Sequence, residues 1–502
     1  MNANDAYTWL RQYNRRTAGI EELSELAGWD QRTMLPPKGH GRRAEQLAAA
    51  AAIVHERTAF LPVGEHLSEV EADESFLASD ASIAANVREW RRMHDRAVKI
   101  PSELAEAWAL AAAEGETAWE KARAADDWPI FAPYLERIFK LARERAEAIG
   151  YTKEPYDALI EDFEPGQTAA SVSALFAALK PPLVSLIERI SNSPKKPDTS
   201  ILTQGEPIAA QEAFSRRIAA LIGFDFDAGR LDRSTHPFTA GVGVGDARIT
   251  SRYCEHLLQS GLFSTLHEAG HGMYEQGLPA AHAGEPRGRA VSLGVHESQS
   301  RLFENLVGRS KGFWKYVLPL AKGAFPTLKS VDLDAFYAAV NHVQADFIRV
   351  EADEVTYNLH IILRFELESA LLRGEVRVQD LPEAWNNTTK QLLGIVPTRP
   401  AEGVLQDVHW SAGLIGYFPT YTLGNLYAAQ IFDAAGRDLG DLDDAFAQGE
   451  FEPLLQWLRQ KIHEKGSLQL PTDLICDAVG APPDAGFLVR YLEQKYGEIF
   501  DC

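Results

Sequence analysis

The residues with the clearest capacity for chemistry lie in the segment His267-Glu268-Ala269-Gly270-His271. On a helix, residues four positions apart share a face, so His267 and His271 could direct two imidazoles at one divalent ion. Glu268 would lie beside them, where a carboxylate can take a proton from a metal-bound water. The segment predicts a catalytic metal site, with a surface helix carrying two solvated histidines as the alternative.

A third ligand is required, because a catalytic zinc has three protein ligands and one water. Glu297 follows His271 by 26 residues and should lie on the next helix. Glu275 competes by spacing, but it shares the helix of the two histidines and would spread the ligands poorly. His296 is adjacent to Glu297 and points elsewhere, which favours a structural histidine or the partner of a ligand. Two His and one Glu suit Zn²⁺ and also accept Co²⁺ or Mn²⁺.

The elements that must position these groups are a helix and a small sheet. Leu262, Phe263 and Leu266 give the helix an apolar stripe, and Gly277 with Pro279 predicts its end. Residues 235–239 and 247–253 are β-branched, aromatic and roughly alternating, with a glycine-rich turn between them. We expect a strand–turn–strand unit beside the metal helix, whose edge could hold a substrate backbone by strand addition.

Most of the remaining chain has helical periodicity. The clearest segments are 44–54, 83–98, 102–125, 133–149, 296–310, 331–373, 378–393, 421–437 and 452–464. The predicted fold class is therefore mainly α, with one small antiparallel β-sheet next to the metal helix.

The composition of the chain indicates which kinds of partner it binds and which cellular compartment it occupies. The chain has 502 residues and a formal net charge of −21, which argues against binding nucleic acid or an anionic membrane. Three scattered cysteines favour a reducing compartment. We expect no signal peptide, since residues 1–5 lack a basic and apolar leader, and no membrane-spanning helix, since no apolar run approaches 18 residues. A cytoplasmic protein is the expectation.

A second group of polar and aromatic residues lies at 403–421. Hydrolysis of a peptide needs a donor for the oxyanion besides the metal, commonly Tyr or His. His409, Tyr417 and Tyr421 are candidates there. Taken alone, His409 could equally be a core histidine. The density of Gln, Asp, His, Trp and Tyr within twenty residues favours the wall of a binding site.

Six motifs in order give the chain a specific resemblance. They are His236-Pro237-Phe238; Asp246, Arg248 and Thr250; His267 to His271; His296 to Gln299; Ile348-Arg349 with Ala352-Asp353; and Gly403 to Trp410. This set resembles the Taq-type metallocarboxypeptidases, also called thermostable carboxypeptidase one. The resemblance covers essentially the whole chain. Phe303, where Trp is expected, and Arg399, where an acid is common, depart from the pattern outside the metal motif.

The resemblance implies a fold similar to angiotensin-converting enzyme and neurolysin. A single peptidase domain of residues 1–502 would form a large helical body with a deep central groove. Its N-terminal helices, about 1–110, would roof that groove, and segments 235–425 would carry the metal site and catalytic residues. The groove would favour short, unfolded peptides as substrates. The family is usually dimeric, so a homodimer is expected.

By motif position, the resemblance also implies residue roles. His267, His271 and Glu297 would bind zinc and Glu268 would be the base. His409 and Tyr421 would stabilise the oxyanion, because they share the twelve-residue interval of neurolysin-like enzymes. His236 would hold substrate backbone. The implied activity is the release of single C-terminal residues from peptides, with broad preference.

A carboxypeptidase also needs a cation for the terminal carboxylate, and the fork of an arginine suits it. Arg349 is the first candidate and Arg248 the second. Arg349 could instead pair with Glu351 or Asp353 on its own helix. Two other functions remain open: an oligopeptidase or dipeptidyl carboxypeptidase with the same site, and a non-catalytic peptide-binding scaffold. The intact Glu268 argues against the scaffold.

Overall fold

The computed structural model describes residues 2–502 and is mainly helical, as predicted, with one three-stranded sheet. The chain divides into two compact units that are interleaved in sequence. Unit 1 comprises Met1–Val98, Pro197–Val340 and Ile431–Pro482, and unit 2 comprises Lys99–Lys196, Asn341–Gln430 and Pro483–Cys502. The single peptidase domain with a roofed groove stays a prediction.

Unit 1 contains the sheet and the helix of the His-Glu-x-x-His motif. Its elements are α1 Ala3–Thr33, α2 His40–Thr58, α3 Leu61–Glu71, α4 Glu74–Leu77 and α5 Ala81–Lys99; then α10 Ile208–Leu221, β1 Gly229–Arg233, β2 Thr239–Gly243, β3 Asp246–Ser251, α11 Leu258–Gly277, α12 Leu293–Arg301, α13 Lys311–Ala324 and α14 Leu333–Val340; and finally α18 Leu442–Ala447, α19 Glu452–Lys461 and α20 Pro471–Val479.

Unit 2 is helical. Its elements are α6 Ser102–Ala125, α7 Trp128–Ile149, α8 Pro155–Ile160, α9 Ala169–Asn192, α15 Tyr357–Arg373, α16 Leu381–Leu393 and α21 Ala485–Phe500. Helix α17, Pro419–Leu439, begins in unit 2 and ends in unit 1. Short 3₁₀ turns lie at Pro37–Gly39, Thr199–Leu202, Ala280–His282, Pro286–Gly288, Pro326–Leu328, Arg349–Glu351, Val378–Asp380, Pro400–Glu402 and His463–Lys465.

Helix α11 forms the centre of unit 1. It packs against β3, α10 and α12, and Leu262, Leu266 and Met273 are among its buried residues. Its end at Gly277 agrees with the predicted stop. Gly270 permits the close approach of α12, since a Cβ there would lie 2.5 Å from the carbonyl oxygen of Gln299. The glycine therefore sets the distance between the two helices that carry the candidate metal ligands.

The sheet differs from the prediction of an antiparallel strand–turn–strand unit. Its order is β1-β3-β2, with β1 parallel and β2 antiparallel to β3, so the sheet is mixed. The missed strand β1 is Gly-Arg-Leu-Asp-Arg, which lacks β-branched residues and alternation. The first predicted strand was also misplaced, because β2 runs through the glycines that were assigned to a turn.

The helix expected over 331–373 is interrupted. Residues between α14 and α15 form an irregular segment, and Arg349 lies in a 3₁₀ turn within it. Asp353 explains part of the break, because its carboxylate accepts hydrogen bonds from the backbone N–H groups of Gln344, Val355 and Thr356. These local bonds compete with helical ones.

Helix α9 is long and apolar enough to cross a membrane, judged by length and composition only. Its apolar residues Val172, Phe176 and Leu183 are buried within unit 2, where α9 packs against α15 and α21. A packed core helix meets the same criterion, so α9 is weak support for a membrane span. The expected absence of a membrane partner stays a prediction.

Candidate metal centre and catalytic residues

Two helices of unit 1 bring three predicted ligands together. Nitrogens of His267 and His271 on α11 and a carboxylate oxygen of Glu297 on α12 all lie within 4.8 Å of one another. Nε2 of His267 is 3.7 Å and Nε2 of His271 is 3.4 Å from Oε2 of Glu297. Helix α12 begins at Leu293, before the predicted start at His296, with Ser292 as its N-cap. The alternative of two solvated histidines does not fit this arrangement.

The outer nitrogens of the two histidines have separate partners. Nδ1 of His267 lies 2.8 Å from Oε2 of Glu304. Nδ1 of His271 lies 2.6 Å from Nδ1 of His296, and Nε2 of His296 lies 2.7 Å from Oε1 of Glu275. Glu275, the sequence-based competitor for the third ligand, is thus outside the ligand group. His296 contacts the ligand His271, which agrees with its interpretation as the partner of a ligand.

Glu304 is a further residue of the site that was not predicted from the sequence. It follows Glu297 by seven residues, two helical turns, and this spacing was the available signal. It lies in the π-helical turn Leu302–Val307, which continues α12. Such insertions are frequent at functional sites.

Arg301 holds the two acids of this helix in their charged form. Its guanidinium contacts Oε1 of Glu297 at 2.7 Å and Oε2 of Glu304 at 3.2 Å. Burial would raise the pKa of Glu297, but Arg301 and His267 outweigh burial and hold that pKa well below its usual range. Burial lowers the pKa of His271 to about 3. The cluster therefore presents a carboxylate and a neutral imidazole, both of which a cation can bind.

Glu268 is buried beside the ligands and is held by the sheet. The hydroxyl of Thr239, the first residue of β2, donates to Oε2 of Glu268 at 2.7 Å. Burial raises the pKa of Glu268, while His267 and Thr239 oppose that rise. Glu268 is the neighbour of a ligand, as predicted from the sequence, whereas nothing in the sequence pattern indicates its contact with Thr239.

The two other candidates in unit 1 have different surroundings. His236 is exposed and lies in the loop between β1 and β2, not on a strand as expected. Arg248 on β3 forms a bidentate pair with Asp246, both contacts at 2.8 Å, and its guanidinium lies 4.3 Å from the ring centre of Trp29. A one-to-one pair of this kind carries no net charge.

In unit 2 the structure brings His409 and Tyr421 together. Nε2 of His409 lies 3.0 Å from the hydroxyl of Tyr421, and the ring of Tyr417 lies 5.4 Å from that of His409. Burial and the nearby Arg349 lower the pKa of His409 to about 3, so the imidazole is neutral. His409 is buried, but the hydroxyl partner and flanking rings distinguish it from an isolated core histidine.

Arg349 belongs to a buried cluster of two arginines and one aspartate, here called the arginine cluster. Nε and Nη2 of Arg349 contact Oδ1 of Asp407 at 3.0 and 2.8 Å, and Nε of Arg364 contacts Oδ2 at 2.6 Å. Nη1 of Arg349 donates to the hydroxyl of Tyr357 at 3.1 Å. Arg349 therefore pairs with neither Glu351 nor Asp353, the partners expected for a structural role.

Asp407 and Arg364 were not singled out from the sequence as site residues. Burial would raise the pKa of Asp407, but Arg349 and Arg364 hold it far below its usual range. Burial lowers the pKa of Arg364 to about 10, so both arginines remain charged at neutral pH. Two cations on one anion leave the cluster with a surplus positive charge.

The His267, His271 and Glu297 donor set fits a divalent cation. Two neutral nitrogens and one carboxylate oxygen are the ligands of many catalytic zinc sites. Each imidazole has its outer nitrogen engaged elsewhere, so the inner one is available for a metal. A set of this kind can bind an ion with an open coordination position, next to the carboxylate of Glu268.

Comparison with known proteins agrees with this chemistry. Residues 9–496 match the model of the carboxypeptidase Taq (M32) metallopeptidase family. The chain is 49% identical to thermostable carboxypeptidase 1 of Thermus thermophilus, over 100% of both chains. It is 38% identical to carboxypeptidase 1 of Bacillus subtilis, over 97% of each.

Solved structures agree over similar lengths. The M32 carboxypeptidase of Deinococcus radiodurans is 38% identical, with a TM-score of 0.95 over 99% of this chain and 100% of that one. The carboxypeptidase of Pyrococcus furiosus is 35% identical, with a TM-score of 0.94 over 98% and 99%. Agreement at this level, along nearly every residue, means that the chain belongs to the carboxypeptidase Taq (M32) family and is a metallocarboxypeptidase.

Proposed function

We propose that this metallocarboxypeptidase uses zinc to release single residues from the free C-termini of peptides, with broad side-chain preference. The observation that carries the proposal is the ligand cluster, in which His267, His271 and Glu297 converge within 4.8 Å beside Glu268. The donor set suits Zn²⁺, and Co²⁺ or Mn²⁺ are possible substitutes. When bound, the ion would polarise the scissile carbonyl and make a water more acidic.

Glu268 is proposed as the general base. Thr239 holds Oε2 through a hydrogen bond. Oε1 would take the proton of the attacking water and later deliver it to the leaving amine. Burial raises the pKa of Glu268, which makes its carboxylate a stronger base than an exposed glutamate.

His409 and Tyr421 are proposed to stabilise the oxyanion of the tetrahedral intermediate. The neutral imidazole and the hydroxyl are 3.0 Å apart, so a proton on either group lies close to the other. An uncharged donor pair can bind a developing negative charge without an ion partner of its own. Tyr417, whose ring lies 5.4 Å from that of His409, and His236 are proposed to contact the peptide.

Arg349 is proposed to bind the substrate's terminal carboxylate, in preference to Arg248. Arg248 and Asp246 neutralise each other in a one-to-one pair. The arginine cluster instead has two cations on Asp407, so it can accept a further anion without being left with net negative charge. Electrostatic attraction to a carboxylate therefore favours Arg349.

The remaining features of the proposal rest on the sequence. The net charge of −21 supports peptides rather than nucleic acids or anionic membranes as partners. Three unpaired cysteines support a cytoplasmic location. The resemblance to the family supports a homodimer.

Digestion of one peptide, as the free acid and as the C-terminal amide, tests the activity. Mass spectrometry should reveal a ladder of single-residue losses from the free acid only, and a chelator should stop it. Internal cuts in both peptides would instead indicate an oligopeptidase, and release of dipeptides a dipeptidyl carboxypeptidase.

Steady-state kinetics of hydrolysis of the same free-acid peptide compares the two arginines. Arg349→Lys should raise KM for the free acid by roughly 10²-fold, because a lysine cannot reproduce the bidentate geometry. Arg248→Lys is the matched control and should change KM less than about threefold. A larger effect of Arg248→Lys would transfer the carboxylate-binding role to Arg248.

A further inference from the structure

His296 and Glu275 form a chain of hydrogen bonds that starts at Nδ1 of His271. The proposed reaction does not use this chain. His296 on α12 lies between His271 and Glu275, with nitrogen–nitrogen and nitrogen–oxygen distances of 2.6 and 2.7 Å. His267 differs, because its outer nitrogen contacts the carboxylate of Glu304 directly. The two ligand histidines therefore have chemically different supports.

Binding of a cation by Nε2 of His271 requires one arrangement of protons in this chain. The carboxylate of Glu275 can only accept, so Nε2 of His296 carries a proton. In that arrangement, Nδ1 of His296 accepts the proton on Nδ1 of His271. Nε2 of His271 is then unprotonated and faces Glu297 at 3.4 Å. The opposite direction of the His271–His296 bond would protonate Nε2 of His271 and prevent it from binding a cation.

We propose that His296 and Glu275 are positioning residues that fix the tautomer and ring orientation of His271 and thereby strengthen metal binding. The proposal rests on the proposed role of His271 as a metal ligand. It also fits the sequence interpretation of His296 as the partner of a ligand, and it gives Glu275, the sequence-based competitor for the metal, a place behind His296.

Packing holds the chain of hydrogen bonds in place. The ring of His296 lies 5.1 Å from that of the buried Tyr274. Glu275 lies against β2, since a Cβ at Gly241 would be 2.5 Å from its Oε2. A side chain at position 241 would displace the carboxylate from this position. The sheet thus supports the metal helix at two places, through Thr239 at Glu268 and through Gly241 at Glu275.

The test is the affinity for Zn²⁺, measured by competition with a chromophoric chelator. His296→Phe keeps a ring against Tyr274 but removes the acceptor for His271. The dissociation constant should rise 10- to 100-fold, the usual cost of losing such a partner. His282→Phe is the matched control, because His282 also faces a glutamate, Glu285 at 3.4 Å, and is outside the ligand cluster and this chain of hydrogen bonds. Its dissociation constant should stay within twofold of the parent value.

A second pair of variants guards against misfolding of His296→Phe. Glu275→Gln retains an oxygen that accepts from His296 and should leave zinc affinity within threefold of the parent. Glu275→Ala removes that acceptor and should weaken affinity by roughly tenfold. Equal zinc affinity in the parent, His296→Phe and Glu275→Ala would overturn the positioning role.

The parent protein and His267→Ala separate this proposal from the proposed function. If the parent binds one Zn²⁺ and His267→Ala does not, the metal site stands whatever the His296 variants do. If His267→Ala binds zinc as the parent does, the ligand assignment fails and the positioning role fails with it.

Discussion

The ligand cluster of unit 1 and the arginine cluster with His409 in unit 2 both contain histidines, but the hydrogen-bond partners of these histidines differ. His267 and His271 have their outer nitrogens engaged by Glu304 and His296. His409 has its Nε2 engaged by Tyr421, while its Nδ1 is buried with no hydrogen-bond partner among residues 2–502 and lies 3.9 Å from Asp407.

The difference follows from what each histidine is proposed to do. A metal ligand must present one lone pair in one direction, so both the tautomer and the ring orientation need support. A donor to a transient oxyanion must above all be neutral and within reach. In unit 2 that neutrality comes from burial and the two arginines, which lower the pKa of His409 to about 3.

Glu268→Gln should separate catalysis from metal binding in unit 1. Glutamine keeps the shape of the side chain and its contact with Thr239 but cannot take a proton. We expect kcat/KM on a free-acid peptide to fall roughly 10³- to 10⁴-fold. The metal content of the variant, measured by elemental mass spectrometry, should equal that of the parent.

Thr239→Val is the control for Glu268, because it removes the 2.7 Å hydrogen bond and leaves the carboxylate. Its kcat/KM should fall only about tenfold. Full activity in Glu268→Gln would refute the base assignment, and loss of metal in that variant would mean that the side chain also supports the ligands.

Tyr421→Phe should test the same distinction in unit 2. It removes the hydroxyl beside His409, so kcat should fall about 10²- to 10³-fold with little change in KM, if the hydroxyl acts on the transition state. Tyr357→Phe is the matched control. Its hydroxyl accepts from Arg349, and its ring lies 6.2 Å from that of Tyr421. Steady-state kinetics should show a change in KM for Tyr357→Phe, and a fall in kcat as large as that of Tyr421→Phe would argue against an oxyanion role.

The sequence predicted the parts of the fold that local pattern determines. Helices α11 and α12, and the convergence of His267, His271 and Glu297, follow from helical spacing and one following acid. The irregular segment around Arg349 did not, because hydrogen bonds from Asp353 override an apparently helical pattern. Strand β1 was missed because its stability comes from pairing with β3, not from its own composition.

The supporting residues were harder to predict than the ligands. Thr239 meets Glu268 across 29 positions and Arg364 meets Asp407 across 43, and neither contact has a periodic signature. Spacing identifies groups on one helix, whereas these contacts depend on tertiary packing.

Glu368 on α15 is another group that the sequence gave no reason to notice. It is fully buried, and its carboxylate accepts from the indole of Trp410 and from the backbone N–H of Gly416, both at 2.6 Å. It thus holds both ends of the segment that follows His409. Its surroundings contrast with those of Glu297, which has a neighbouring arginine that favours its charged form.

Glu368 should make stability depend on pH. Burial raises its pKa to about 7, against 4.5 for an exposed glutamate, although Gly416 and Trp410 oppose the rise. Folding therefore favours the protonated form. The contribution of Glu368 to the free energy of unfolding is complete below about pH 4.5 and is lost as the pH rises through about 7. The loss is at most ~3 kcal/mol. Tyr156 on α8 also faces this carboxyl, but its own pKa is raised well above 10 by burial, so it stays neutral throughout this range.

Glu368→Gln should remove this dependence, because glutamine does not ionise. The side-chain NH2 of the glutamine will face the N–H of Trp410 or Gly416, which destabilises the protein. This destabilisation is the same at every pH. In denaturant unfolding of the metal-free protein, the free energy of unfolding of the variant minus that of the parent should rise by up to ~3 kcal/mol between pH 5 and 8. Glu366→Gln, on the same helix and paired with Lys180 at 2.8 Å with its side chain 41% exposed, should give a difference that hardly changes with pH. A flat difference for Glu368→Gln as well would mean that the bonds from Trp410 and Gly416 outweigh burial and keep Glu368 ionised, as Arg301 does for Glu297.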